Sequence, residues 1–283
     1  MDILVITNGG IGDQIHFSSL IKGLKNKYVH SRISVFCHPY HEFIYRYNED
    51  VYEILHRLEQ HRFHIGFNFA LKNDLIDIFE SVAIDKRNGF RKILGKLKPT
   101  NKFAEDLMKL VIYKKFSDKS LGEWFCQIAG VEWNKPIFNF KSMRFFDDCD
   151  IVLQYGTNKE EKNWPKKYYK EILKLLKDKR VYVTGHIKYE EDIKEICENS
   201  IPHLIGENYG LYDVARLLEK TTHLITPDTC VAHIGVALDK NVIVLSNCFD
   251  RGYAFSKKFN NVQIIKMNSM ENITPNLILQ YVL

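Results

Sequence analysis

The residues from Leu224 to Leu245, LITPDTCVAHIGVALDKNVIVL, set an Asp, a hydroxyl and a His between two apolar runs. The first run ends in a Pro-Asp-Thr break and the second is β-branched, which reads as strand, tight turn, helix, strand. Such a unit offers a helix N-terminus to an anionic ligand. Asp228 is placed to cap that helix. Backbone N–H groups near Thr229 and Cys230, with the Thr229 hydroxyl, are placed to hold phosphate oxygens at the positive end of its dipole. His233 falls about one turn along, on the face shared with Thr229 and Val236.

The same alternation runs through the chain. Short β-branched segments at Ile3 to Thr7, Ile33 to Cys37 and Ile65 to Phe69 alternate with amphipathic stretches near 13–26, 40–47, 72–82 and 103–128. In the second half the strands fall at Ile151 to Gln154, Val181 to Thr184, His203 to Ile205, His223 to Ile225, Val242 to Leu245 and Val262 to Ile265. This is the pattern of βα units feeding parallel sheets, an α/β protein. The pattern breaks over 130–150, through Trp133, Pro136 and KSMRFFDDCD. The expected division is therefore two domains, 1–145 and 146–283, each of ordinary size for its length.

The chain opens on MDILVIT, a buried-strand pattern with no basic segment or long apolar segment before it, and it has no run of about 18 apolar residues. The expectation is a soluble, cytoplasmic protein. Six cysteines, Cys37, Cys126, Cys149, Cys197, Cys230 and Cys248, lack metal-ligand spacing or a disulfide pattern and read as reduced, mostly buried thiols. The net charge of +5 is unevenly placed. KRNGFRKILGKLKPTNK, from Lys86 to Lys102, carries Arg87, Arg91 and Lys92 among seven cations and no acid. It reads either as a solvated face or mobile loop, or as a surface for a polyanion: phosphorylated glycolipid, nucleic acid or anionic membrane.

Two β/α domains direct attention to the loops after their first strands. The first is NGGIGDQIH, where Gly9, Gly10 and Gly12 permit positive φ or close backbone approach. Ile15 stands where a dinucleotide fingerprint needs a third small residue, so an NAD-dependent dehydrogenase is disfavoured. Asp13 opens the following helix, either as a cap or first-turn acid or as a catalytic carboxylate. The second loop is TNKEEKNWPKKYY, with Pro165 suited to a helix's first turn and Trp164 to a staple ahead of it. Lys162 reads either as a surface lysine or as a point charge for a diphosphate.

Four segments in order, ILVITNGGIGDQIHFSSLIKGLK, KNWPKKYYKEI, VYVTGHIKYEEDIKEI and LIGENYGLYDVARLLEKTTHLITPDTCVAHIGVALDKNVIVL, resemble glycosyltransferase family 9, known best for the ADP-heptose:lipopolysaccharide heptosyltransferases. The resemblance covers the N-terminal loop and nearly all of the second half, and is loose over 40–140. It implies a GT-B fold: two Rossmann-like β/α/β domains with an interdomain cleft, acceptor mainly on the first, nucleotide sugar mainly on the second, and neither metal nor cofactor required. It assigns the general base to Asp13 and a donor-phosphate contact to Lys162. The diphosphate cradle falls to Asp228, Thr229 and His233, beside the Cys230 backbone already noted as a donor-site candidate, and positions near base and ribose fall to Thr184, Gly185, His186 and one of Glu190 or Glu191. Gly10, Gly12, Arg87, Arg91 and Lys92 are the candidate acceptor contacts. Cys230 stands where heptosyltransferases usually have glycine, and SNCFDRGYAF replaces a G-P-T-D-P loop. The donor base therefore stays open among adenine, uracil and guanine.

The chemistry is consistent with these roles. Inverting transfer needs a carboxylate to take the acceptor hydroxyl's proton, and positive potential for the departing diphosphate. The acceptor is expected to be anionic, lipopolysaccharide core or a related glycan, with peripheral contact at the inner membrane surface. Hydroxymethylated cytosine in DNA is the alternative, with Phe90 or Trp124 stacking on a flipped base rather than serving as ordinary core aromatics. A nucleotide-sugar-binding protein without activity is a further alternative. Oligomeric state is not legible.

Overall fold

The computed structural model describes residues 1–58, 61–112, 117, 119–198, 200–205, 208–247 and 258–282. They form two compact units, one built on Met1–Phe140 and the other on Lys141–Asp250 with Phe259–Leu283. Cys248 and most of SNCFDRGYAF lie outside the described residues.

In the first unit the elements are β1 (Asp2–Ile6), α1 (Ile11–Lys27), β2 (Arg32–Phe36), α2 (Glu42–Tyr45), β3 (Glu53–Leu55), β4 (Arg62–Asn68), α3 (Asn73–Ser81), β5 (Ala83–Ile93), β6 (Lys96–Pro99), α4 (Lys102–Ile112) and α5 (Leu121–Ala129). The sheet order is β3-β2-β1-β4-β5-β6. All neighbours are parallel except β5 and β6, which form an antiparallel hairpin. In the second unit they are β7 (Cys149–Tyr155), α6 (Lys166–Leu175), β8 (Val181–Gly185), α7 (Glu190–Cys197), β9 (His203–Leu204), α8 (Leu211–Glu219), β10 (Thr221–Pro227), α9 (Cys230–Ala237), β11 (Asn241–Asn247), β12 (Val262–Met267) and α10 (Pro275–Leu279). That sheet, β12-β11-β10-β7-β8-β9, is wholly parallel. Counted from each unit's own first strand, both sheets have the Rossmann order 3-2-1-4-5-6.

Burial explains why the central strands read as continuous apolar runs. Ile3, Leu4, Val5 and Ile6 of β1 are all 0% exposed, because helices cover both faces of a parallel sheet. One core cluster joins Leu4 and Ile6 to Phe63, Phe79 and Ile84 in the first unit. Another packs Ile151, Leu153, Val183, Ile225 and Ile243 against Trp164, Tyr169 and Ile172 in the second.

Two sequence expectations change, and between the two readings of Phe90 and Trp124 the structure selects the core one. The single helix over 103–128 is two helices, because Ser120 starts a new one: its Oγ accepts from the Glu123 N–H at 3.3 Å while the Glu123 carboxylate accepts from the Ser120 N–H at 2.8 Å. The run 86–102 is neither a mobile loop nor a uniform basic face; most of it is the second half of β5 and all of β6. Phe90 and Trp124 are core residues, 1% and 9% exposed, so neither is available to stack on a base. Among the described residues no helix is long and apolar enough to cross a membrane.

Candidate functional site

In each unit the chain runs outward on one side of its first strand and then returns to build the other side. The crevice outside the strand ends at that reversal is where open α/β sheets bind ligands. In the second unit it lies between β7 and β10, so its walls are the segment after Tyr155 and the turn before α9.

Thr229 is the N-cap of α9, with extended φ −137° and ψ 173° and no side-chain capping bond. Asp228, expected to cap, instead pairs its Oδ2 with the Lys162 ammonium. Both side chains are mostly buried, 21% exposed for Lys162 and 12% for Asp228, which shields the pair from water and ions. Lys162 ends a 3₁₀ turn, Glu160–Lys162, whose Glu161 carbonyl accepts from Asn247 Nδ2 at 2.6 Å. Pro165 is the N-cap of α6 rather than its first residue, and Trp164 packs edge-on against Tyr169 at 4.8 Å, the expected staple. The indole N–H of Trp164 donates to Ile273 O at 2.7 Å, fixing the turn that carries Lys162.

The sequence reading missed Gln154. Its side chain is buried at the end of β7, and Nε2 donates to Gly156 O at 2.9 Å and Tyr155 O at 3.3 Å. Two carbonyls on that side fix the orientation of the amide. Oε1 therefore faces the Thr226 and Thr229 hydroxyls, each 2.6 Å away and each a donor. Sequence offers only a polar residue interrupting the apolar run IVLQY as its signal. Cys230 follows at the first helical position. There burial and the helix N-terminus act on the thiol in opposite senses. Burial prevails and pushes it up to about 11, against the pull of the Cys230 and Val231 N–H groups. His233 is buried one turn into α9.

Beside β7, the segment after β8 is tied to the same loop. Tyr189 Oη and Lys188 Nζ donate to Thr157 O at 2.7 and 3.0 Å, and Asn163 bridges Tyr189 Oη and the Thr157 N–H. His186 uses Nδ1 to accept from the Lys188 N–H at 3.2 Å, and Gly185 closes the strand ahead of it. Glu190 sits in the first turn of α7, ion-paired to Lys194. Thr184 does not reach the loop: its buried hydroxyl donates to Leu204 O at 3.1 Å, within the sheet.

In the first unit Asp13 is the third residue of α1, and its Oδ2 accepts from the N–H of the N-cap Gly10 at 2.9 Å. Gly12 lies in the same turn. The preceding Gly9 has φ +99°, and a Cβ there would stand 2.3 Å from Asp13 Oδ2, so the turn that receives this carboxylate requires glycine. Arg87, Arg91 and Lys92 are committed elsewhere. Arg87 donates to Ile84 O and Val82 O at 2.8 and 2.6 Å, Arg91 grips Glu80 through two contacts of 3.1 Å, and Lys92 pairs with Asp77 at 2.8 Å. The two acids that face these three cations, Asp77 and Glu80, come from α3, outside the run itself.

Residues 124–253 match the family description Glycosyltransferase family 9 (heptosyltransferase). Lipopolysaccharide heptosyltransferase 1 of Escherichia coli O18:K1:H7 (strain RS218 / NMEC) is 25% identical over 138 residues, 46% of this chain and 41% of that protein. The protein of the same name from Escherichia coli strain K12 is 27% identical over 104 residues, 36% of this chain and 33% of the relative. The chain thus aligns with less than half the length of either. In fold it is similar to the glycosyl transferase family 9 structure from Veillonella parvula DSM 2008, with TM-score 0.82 and 12% identity over 99% of this chain and 95% of that one. It is also similar to Escherichia coli heptosyltransferase WaaC with ADP, with TM-score 0.77 and 14% identity over 100% and 99% of the two chains. The chain therefore resembles glycosyltransferase family 9 in sequence through most of its second half, and has the GT-B fold of these enzymes along its whole length.

Proposed function

We propose that this protein is an inverting glycosyltransferase that moves a sugar from a nucleotide-diphosphate donor to a hydroxyl of an anionic acceptor, a lipopolysaccharide-core-like glycan or glycolipid. The observation that carries the reading is the Lys162–Asp228 pair set against the N-terminus of α9 at the strand reversal of the second unit. A departing diphosphate gathers negative charge as the glycosidic bond breaks. A positioned ammonium and a helix N-terminus answer that charge without a metal ion. Asp228 holds the ammonium in place beforehand, so less ordering remains to be done when the donor arrives.

Asp13 is the proposed general base, taking the acceptor hydroxyl's proton as the anomeric carbon is attacked. The heptosyltransferase relatives and a structure of one of them with ADP favour an ADP-sugar donor. The DNA-acceptor alternative loses support, since Phe90 and Trp124 are core residues and Arg87, Arg91 and Lys92 are bound within the first unit.

Thermal shift against ADP-, UDP- and GDP-sugars and the free diphosphates tests the donor site, because a ligand at about 100 times its dissociation constant adds roughly 2.7 kcal/mol to stability. Selective stabilisation by an ADP-sugar is the expected result. No shift with any nucleotide would remove the donor site and the transferase reading with it. Binding without turnover on any glycan acceptor would favour a non-catalytic binding protein.

A further inference from the structure

The β5–β6 hairpin carries the part of the basic run that the α3 acids do not neutralise. Its register sets Ile93 opposite Lys96 and Arg91 opposite Lys98, with Leu94 and Gly95 as a two-residue turn. Their φ values are +50° and +75°. Positive φ at both central positions is the type I′ geometry that Asn-Gly or Asp-Gly adopts with least strain. A leucine is crowded in that conformation by its own Cβ. Leu94 is also 97% exposed and Ile93 47% exposed, so the folded unit gives the tip almost nothing to pack against. Lys86, Lys96 and Lys98 are exposed, and none forms an ion pair with another described residue.

We propose that this tip is a membrane-docking element: Leu94 and Ile93 enter the apolar edge of an anionic bilayer while Lys96 and Lys98 remain among its headgroups. A strained, solvated leucine at a turn gains only when an apolar phase receives its side chain. Lysines beside it gain from the negative surface potential, and their stems can lie along the acyl boundary while the ammonium groups stay wet. A nucleic acid would suit the lysines but offers nothing to a leucine projecting beyond them, whereas an anionic bilayer suits both. The inference stands on the hairpin alone and makes no use of the donor site.

The experiment is co-sedimentation of the full chain with vesicles of mixed phosphatidylglycerol and phosphatidylcholine, and with phosphatidylcholine alone, alongside Leu94→Asn and the double variant Lys96→Glu/Lys98→Glu. The parent chain should sediment with the mixed vesicles, be released by salt, and bind phosphatidylcholine alone weakly. Asparagine suits the turn, so Leu94→Asn should keep or raise the melting temperature while its partition falls roughly ten- to a hundredfold, the worth of one buried leucine side chain. The lysine variant should lose the salt-sensitive binding. Failure of the parent chain to sediment with mixed vesicles at low salt would overturn the proposal, as would equal sedimentation of Leu94→Asn. So would tighter binding to duplex DNA that Leu94→Asn leaves unchanged.

Discussion

The Thr229 hydroxyl donates to Gln154 Oε1 across 2.6 Å, so the side chain at the N-cap of α9 is held by the end of a neighbouring strand rather than by its own helix. Gln154→Leu removes the acceptor of the Thr229 hydroxyl and a donor from the Tyr155 and Gly156 carbonyls, while the Thr226 hydroxyl keeps Pro227 O at 2.8 Å. It should cost about 1–3 kcal/mol of stability in urea unfolding, the range for an orphaned buried polar group. If Gln154 acts on the donor through Thr229, the variants Gln154→Leu and Thr229→Val should weaken ADP binding non-additively in a double-mutant cycle. Additive losses would separate the two residues.

Removing the ammonium opposite Asp228 should be felt by the diphosphate and not by the base. Lys162→Ala is expected to raise the dissociation constant for ADP roughly 10- to 100-fold, the scale of one charged hydrogen bond. It should leave AMP almost unaffected. Calorimetry with both nucleotides decides it, and an equal loss for ADP and AMP would mean a general disturbance of the loop.

Asp13 holds the Gly10 N–H and is also the proposed base, and two substitutions divide those roles. Asparagine keeps an acceptor for Gly10 but cannot take a proton. Asp13→Asn should therefore melt close to the parent chain and lose transfer, whereas Asp13→Ala should lose transfer and also about 1 kcal/mol of stability with the cap. Normal turnover by Asp13→Asn would end the catalytic assignment.

Burial raises the thiols of Cys197 and Cys230 from an ordinary 9.0 to about 11, and those of Cys37 and Cys126 to about 12. Above pH 9 the unfolded chain releases thiol protons that the folded chain retains. The stability these groups contribute is complete below pH 9 and should fall as pH rises through 11 and 12. Urea midpoints measured across that window should drop, while alkylation of the native protein should remain slow at neutral pH. Rapid labelling of Cys126 at pH 7 would contradict the burial of its sulfur.

Runs buried on both faces, such as Ile3 to Ile6 and Ile243 to Leu245, announce themselves in the sequence because nothing polar interrupts them. Lys162 and Asp228 were singled out for the diphosphate by the family resemblance. Their contact was not legible, since it depends on two loops brought together by a sheet that spaces them far apart in sequence. The three-residue β3 and the four-residue, lysine-rich β6 are too short to display a period and are held by register with a neighbour. Arg91 looked like a ligand contact because its partner, Glu80, lies outside the run that drew attention to it.

The shared strand order also bears on how each unit assembles. Strands β7, β8 and β9 are linked through nearby connections, but the pairing of β7 with β10 must wait until the intervening chain has turned back. Contacts between segments distant in sequence carry the larger closure entropy and form late. The crevice that joins Gln154 to Thr229 therefore exists only where β7 has paired with β10, and a nucleotide bound there stabilises the chains in which that long-range pairing is made.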